Sequence, residues 1–500
     1  FYAIHPSSTT LLILKSFILA MGALPLYMLA NESLKSEKAA FTLVLVYLLY
    51  PGLQGANWFD FQQQIFLPIL IFSSCYYMLK KRWKLYFVSI LLTLMVEEHI
   101  AFIVLLLAIY YLVTRYSNYL YQSIRHIQIN TCSVLILTIV ISMIWFPIAK
   151  YSMGLFPIKS EFLVQYKAVD NWKVLGIKSD PLSIPLYVIL HPQLAFQALL
   201  YDYPIKIFYI ILLFGPLLFL PFRSKLSLII LALLTPFLLA NFKAYYTIGC
   251  HYPLYILPLV FLASIEALSK KVNVKDFIPI LKNIMVVTII FIVSASPIST
   301  LSTSFLNNAF FWYPRLHPID ENTKSLHKII GMIPSNSSIL TQNHIFPHVS
   351  NRINAYVIPI ARFSHPLSIT MKEYLKQLID KSDYILLDLR QSDPCILFIL
   401  EEITENKHFG TYAFVGSVAL FKKGHTSTPK FVPFNDHEVF LPQRDLSIGF
   451  GQMVPDPSSK SDYVVLSPKG SHEGTVIYGP YIYLPPGIFE VTFLIKVGNH

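Results

Sequence analysis

Along the first 300 residues, apolar and polar positions come in blocks rather than in a short period. Apolar segments cover 9–30, 39–53, 64–79, 84–96, 100–114, 131–150, 205–222, 226–241, 252–268 and 283–302, ten in all. Several fall short of the roughly 20 residues that a straight membrane crossing needs. Short segments predict tilted helices, re-entrant pieces or helices that end in a recess. Irregular backbone at those ends must line a protein-walled cavity, because lipid cannot hydrogen-bond to it. Residues 303–322 leave this region through Phe310, Phe311, Trp312 and Tyr313, an interfacial anchor. From about 323 the pattern becomes α/β, with strands at 337–341, 354–358, 383–389 and 412–421 and helices at 323–333, 368–381 and 394–405. Beyond about 430 the chain is rich in Pro, Ser and Gly, and the run from Tyr478 to Phe493 reads as a β-sandwich. The expected fold is thus an α-helical polytopic membrane bundle over 1–303, an extracytoplasmic α/β domain over 304–425 and an incomplete β-sandwich module over 426–500.

Composition agrees with the block pattern: 54% of residues are hydrophobic and only 13% charged, against about 25% charged in ordinary soluble domains. The net charge of +11 raises the question of nucleic acid, but the basic residues sit in short clusters between apolar runs. Connections 31–38, 80–84, 115–130, 223–225 and 269–282 carry fourteen Lys and Arg, whereas 52–63, 97–99 and 242–251 carry only Lys243. The basic set is therefore assigned to the cytoplasm, and the other set, the loop 151–204 and everything after 303 to the outside. The expected location is the cell membrane, multi-pass, with no nucleic-acid partner and with membrane lipid around the bundle. In loop 151–204, Pro181, Pro185 and Pro192 predict short amphipathic pieces on the membrane surface. Residue 1 is Phe, and the last strand, 489–497, stops without a partner, so the chain reads as a fragment of a longer protein.

The outer set collects the candidate chemistry. Residues 52–64 carry one acid, Asp60, among Asn57, Trp58, Phe59 and Gln62, with no Lys or Arg. A carboxylate beside stacking rings and amides fits a polar substrate; the alternative is an interfacial loop with an aromatic belt. Glu97, Glu98 and His99 stand 13 residues after Lys84, about 20 Å of helix against a hydrocarbon core of about 30 Å. That places the turn below the surface, where ionisable groups are expensive and functional. Two carboxylates beside a His can hold a proton, a divalent cation or a hydroxyl; the alternative is one long helix over 84–114 with an ion-paired kink. Lys243, His251 and Tyr252 suit a phosphate near the surface, or else a belt of tyrosines with a snorkelling Lys.

Three motifs in this half, residues 22–30 (GALPLYMLA), 50–61 (YPGLQGANWFDF) and 96–99 (VEEH), resemble a family of uncharacterised archaeal and bacterial polytopic membrane proteins. Residues 342–352 (QNHIFPHVSNR) and 382–389 (SDYILLDL) resemble that family's outer domain. The family is grouped by fold with the type-C glycosyltransferases. The resemblance covers roughly 5–425 and implies transfer of a sugar from a polyprenyl-phosphate-linked donor to a glycan or protein acceptor on the outer face. It further implies a catalytic acid in a first outer loop, which would precede Phe1. Relatives tend to have His where this chain has Gln62, and Lys-Glu-Asp where it has Glu97-Glu98-His99. On this reading Asp60, Glu97, Glu98 and His99 are the catalytic candidates, with the upstream acid as general base and Asp60 and Glu97 or Glu98 positioning the acceptor or a divalent cation. Asn57, Trp58, Gln62, Lys243, His251 and Tyr252 are the substrate-binding ones. Two other classes compete: a membrane-anchored scaffold that binds an envelope polymer or partner protein, and a transporter. The transporter fares worst, because the ionisable groups gather at one end rather than at mid-membrane.

In the outer half, Asp388 follows the buried run Ile385–Leu387, near the carboxyl edge where such sheets bind ligands. No glycine-rich phosphate loop precedes it. His344, His348 and Arg352 share one short stretch but lack a carboxylate to complete a metal set, so a polar loop is expected there. Tyr481 and Tyr483 are expected in the sandwich core rather than in sugar binding. Of the four cysteines, Cys75 and Cys132 fall in spans, and a disulfide between Cys250 and Cys395 is left open.

Overall fold

The computed structural model describes residues 5–121, 129–155, 171–176, 183–270, 274–297, 299, 321–359, 367–389, 393–406, 408–415 and 417–431, and four short strands between 447 and 478. The chain forms two compact units, Phe1–Arg315 and Leu316–His500.

The first unit is helical. Each of the ten apolar segments coincides with a helical element. Three helices are long and apolar enough to cross a membrane, Ser8–Leu34, Thr131–Leu155 and Ile278–Ala295. Two bent pairs pass the same test together: Glu37–Leu48 with Pro51–Trp58, at 40°, and Pro192–Leu200 with Tyr203–Leu217, at 78°. The first bend falls at Pro51, which has no N–H to continue the helix ladder. The second begins inside the connection 151–204, where the described residues form the short helices Ile184–Leu190 and Pro192–Leu200. Trp83–Leu94 and Ile100–Tyr121 are separate helices, so the Glu97 turn is a true break and not a kink in one long helix.

The core is built from interlocking aromatics. Tyr47 meets Phe72 and Phe261 edge-on at ring distances of 5.8 and 5.6 Å, and its hydroxyl donates to the Leu19 carbonyl at 2.8 Å. Gly22 is required there, because a Cβ would strike the Tyr47 hydroxyl.

Polar contacts among the described residues sort the connections into the same two sets as the charge pattern. Lys80 pairs with Glu32 at 2.6 Å. Ser224 and Lys270 both reach Glu266, at 2.9 and 3.2 Å. At the opposite end, Lys150 pairs with Glu98 at 2.9 Å, Asn171 donates to Tyr245 at 3.0 Å, and Tyr246 donates to Asp202 at 2.9 Å.

In the second unit a six-stranded sheet runs in the order β2-β1-β3-β5-β4-β6. Its strands are β1 (Ile339–Thr341), β2 (Ala355–Val357), β3 (Tyr384–Asp388), β4 (Phe409–Val415), β5 (Val418–Lys423) and β6 (Lys430–Phe431). β1 is parallel to β2 and β3, whereas β5 is antiparallel to both β3 and β4. All five residues of β3 are buried, which explains its unbroken apolar run. The run 412–421, expected as one strand, is a hairpin of β4 and β5. β6 pairs with β4, so the sheet extends past the expected boundary at 425. Further on, the described strands form two two-stranded ladders, Ser447–Ile448 with Ile477–Tyr478 and Gln452–Pro455 with Tyr463–Leu466. The described residues show no sandwich. Tyr481, Tyr483 and the aromatic anchor 310–313 lie outside the described residues.

Gly410 in β4 faces the backbone of His425, and a Cβ there would collide with the His425 carbonyl. Gly410→Ala is expected to destabilise the second unit by about 3 kcal/mol. Hydrogen exchange at the β4 and β5 amides should accelerate, with that of the first unit unchanged.

Candidate functional site

Residues 51–64 are not one loop. Pro51 opens a helix that ends at Trp58, the chain runs extended through Phe59, and a tight turn over Gln63–Phe66 feeds the next helix. Asp60 therefore stands between two helical ends. It is exposed and makes no hydrogen bond or ion pair among the described residues. Beneath it lies Lys15, only 2% exposed. The Lys15 ammonium donates to the Phe59 carbonyl and lies within electrostatic reach of Asp60. The next residue, Ser16, donates to the Asn57 amide oxygen at 2.8 Å.

Glu97 is the hub of a second cluster. Its Oε1 accepts from Gln63 Nε2 at 3.0 Å and from Gln64 Nε2. Its Oε2 accepts from the Tyr255 hydroxyl at 2.5 Å and faces His99 Nε2 at 3.1 Å. Gln64 Nε2 also donates to the Tyr255 hydroxyl at 2.9 Å, and Gln64 Oε1 is buried without a partner among the described residues. Glu98 turns away to Lys150 at 2.9 Å. Burial pushes its carboxyl up, but the Lys150 hydrogen bond, its own backbone amide and the nearby charges hold it below the ordinary carboxylate value. The two adjacent glutamates thus serve different partners and do not form one joint site. Among the described residues, no group of three or more His, Cys, Asp or Glu is set to hold a metal ion.

The third connection joins these clusters with rings. Phe59 contacts His251 at 5.6 Å, His251 contacts Tyr252 at 4.2 Å, Tyr252 contacts Tyr255 at 6.4 Å, and Tyr255 contacts His99 at 5.1 Å. Burial lowers His251 to about 4, and its Nδ1 is buried without a partner among the described residues. A neutral imidazole can give a phosphate one neutral hydrogen bond but no positive charge. Lys243 is half-buried, without a hydrogen bond or ion pair among the described residues.

The His251 value has a consequence for stability. Its folded value lies below its ordinary 6.5, so the unfolded chain takes up the proton first. The stability contributed by neutral His251 is complete above pH 6.5 and is lost as pH falls through about 4. As the pH is lowered through that window, the melting temperature of the native protein should therefore fall relative to that of His251→Phe.

The structure brings Asp60, Glu97, His99, His251 and Tyr252 to one end of the first unit, with Asn57 and Trp58 on the helix leading in. Gln62 is half-buried, its side chain without a hydrogen bond among the described residues, while Gln64 takes the inward place. Sequence reasoning missed Lys15, Gln63, Gln64, Lys150 and Tyr255. For Lys15 there was a signal, the single charge in the apolar run 9–30. In the second unit, Arg352 Nη2 donates to the Ile333 carbonyl at 2.9 Å, a structural role. The carboxylate that seemed to be lacking beside His344 is Asp388, at 3.6 Å. Cys250 and Cys395 are both free and buried.

Among known proteins, a family model described as "Predicted membrane protein (DUF2079)" matches residues 1–413. A search of the curated proteins found no match.

Proposed function

The chain belongs to the DUF2079 family of predicted membrane proteins, and from that premise we propose that it transfers a sugar from a polyprenyl-phosphate-linked donor at its Asp60 end. One observation carries the proposal: an exposed carboxylate, without a hydrogen-bond partner among the described residues, stands over a buried lysine at the rim of an apolar helical unit. Ionisable groups are kept in such a place at a cost, which is a reason to assign them a function.

The roles follow from the contacts. An acceptor hydroxyl attacks the anomeric carbon, and its proton passes to the Asp60 carboxylate. The bond between that carbon and the phosphate oxygen breaks, and polyprenyl phosphate leaves with the electron pair. Lys15 fixes the Phe59 carbonyl and with it the backbone that carries Asp60, so it is a positioning residue. Lys243 supplies the cation for the phosphate, and His251 adds a neutral hydrogen bond. Glu97 holds Gln63, Gln64 and Tyr255 in place and so shapes the floor. Asp60 takes over the role of base that the family resemblance placed upstream. By the charge rule this end faces outward, and the second unit is extracytoplasmic with it.

The test uses proteoliposomes holding a set of radiolabelled polyprenyl-phosphate hexoses. Time- and protein-dependent loss of label from the lipid fraction, with equal release of polyprenyl phosphate, supports transfer. Intact donors after incubation with glycan and peptide acceptors would favour the membrane-anchored scaffold.

A further inference from the structure

Between the apolar helices Tyr203–Leu217 and Ser227–Leu238 the chain makes a tight turn over 218–226. The Phe219 amide donates back to the Phe214 carbonyl at 3.0 Å, and the Leu218 amide to the Gly215 carbonyl at 2.8 Å. A helix that ends this way needs left-handed backbone, and Leu218 and Phe219 both adopt it, with φ of 51° and 54°. Glycine is the usual residue there, because a Cβ makes that conformation unfavourable. Here two large apolar side chains take the place, and neither is buried: Leu218 is 40% and Phe219 44% exposed. Phe222 is exposed with them, and its ring stacks on that of Phe219 at 6.2 Å.

The turn is pinned from the inside. Leu220 and Pro221 are buried. Thr288 Oγ1 donates to the Pro216 carbonyl at 3.2 Å, Lys270 Nζ to the Arg223 carbonyl at 3.5 Å, and Ser224 to Glu266 at 2.9 Å. The helices behind it therefore hold one set of side chains outward.

Beside the rings that set includes two cations. Arg223 and Lys225 are exposed, and neither side chain makes a hydrogen bond or ion pair among the described residues. Glu266 does not neutralise them: its Oε1 faces Lys270 at 3.2 Å, and its Oε2 accepts from Tyr110 and Ser224. At the same end of the unit, Lys35 and Lys80 by contrast share Glu32, at 2.8 and 2.6 Å. Two uncompensated cations next to apolar rings, at a turn between apolar helices, complement a lipid with a negative headgroup. The rings suit the acyl layer, and the cations suit the phosphate above it.

We infer that the turn 218–225 is a docking site for an anionic phospholipid of the surrounding membrane, with Leu218, Phe219 and Phe222 among the acyl chains and Arg223 and Lys225 on the headgroup phosphate. It lies at the end of the unit opposite Asp60 and does not depend on sugar transfer there.

Native mass spectrometry of the full chain in mild detergent tests it, by titration with phosphatidylglycerol and with phosphatidylcholine of the same acyl chains. The native chain should hold phosphatidylglycerol about 20-fold more tightly, and Arg223→Gln and Lys225→Gln should each reduce that preference about fivefold. Phe219→Gly, which suits the left-handed backbone and keeps both charges, should fold and should weaken both lipids alike. Lys81→Gln, in the other basic turn 80–84, should leave the preference unchanged. The inference is overturned if phosphatidylglycerol is held no better than phosphatidylcholine, if the preference survives in the folded Arg223→Gln/Lys225→Gln protein, or if it follows Lys81 instead. Equal competition by inorganic phosphate would overturn it too, assigning the two cations to a soluble anion.

Discussion

Asp60→Asn is expected to lower sugar transfer by about 10³-fold while the protein melts at its native temperature. The substitution keeps the size and polarity of the side chain and removes only its capacity to take a proton. The fold loses only the attraction between Asp60 and the Lys15 ammonium, because Asp60 is exposed and makes no hydrogen bond or ion pair among the described residues. The loss should fall on turnover, with donor binding little changed, since Lys243 and the aromatic rings are left intact. Release of label from polyprenyl-phosphate hexose at saturating donor measures this. A variant with native turnover would remove Asp60 from the chemistry.

Glu97→Ala has the second large effect, and it falls on stability. The Glu97 side chain is only 15% exposed and accepts from Gln63, Gln64 and Tyr255. Truncation leaves the Gln64 amide and the Tyr255 hydroxyl facing an empty space. Leaving such buried partners unsatisfied costs on the order of 3–5 kcal/mol. The loss should be smaller in a Gln64→Leu background, because one of the stranded donors is then absent. Reversible unfolding of the four variants in mixed micelles gives the coupling, which should be at least ~1 kcal/mol. Additive losses would mean that the network does not act as a unit.

Much of the first unit could be read along the chain, because hydrophobicity and charge act locally. Each of the ten apolar segments becomes helical, in one element or several, and the alternation of basic connections recurs as two sets of polar contacts. The buried run Ile385–Leu387 becomes the central strand for the same reason. What was hidden depends on pairs far apart in sequence. Lys15 meets Phe59 across 44 residues, and Tyr255 meets Glu97 across 158. No local pattern announces either contact. Among three glutamines in a row, only the fold decides that Gln64 points inward and Gln62 does not. That burial keeps His251 neutral was hidden as well, because burial belongs to the packed state. The hairpin at 412–421 was read as one strand because its two apolar halves are interrupted by only two small residues. His344 finds Asp388 only through the pairing of β1 with β3.

The claim at the centre is that the Asp60 end holds a lipid-linked sugar phosphate. Cryo-electron microscopy of the protein in nanodiscs with a polyprenyl-phosphate hexose tests it most directly. The predicted result is a sugar whose anomeric carbon faces Asp60, with its phosphate beside Lys243 and His251 and its prenyl chain along the apolar helices. A donor bound at the opposite end, around Glu32 and Lys80, or no donor bound at all, would contradict it.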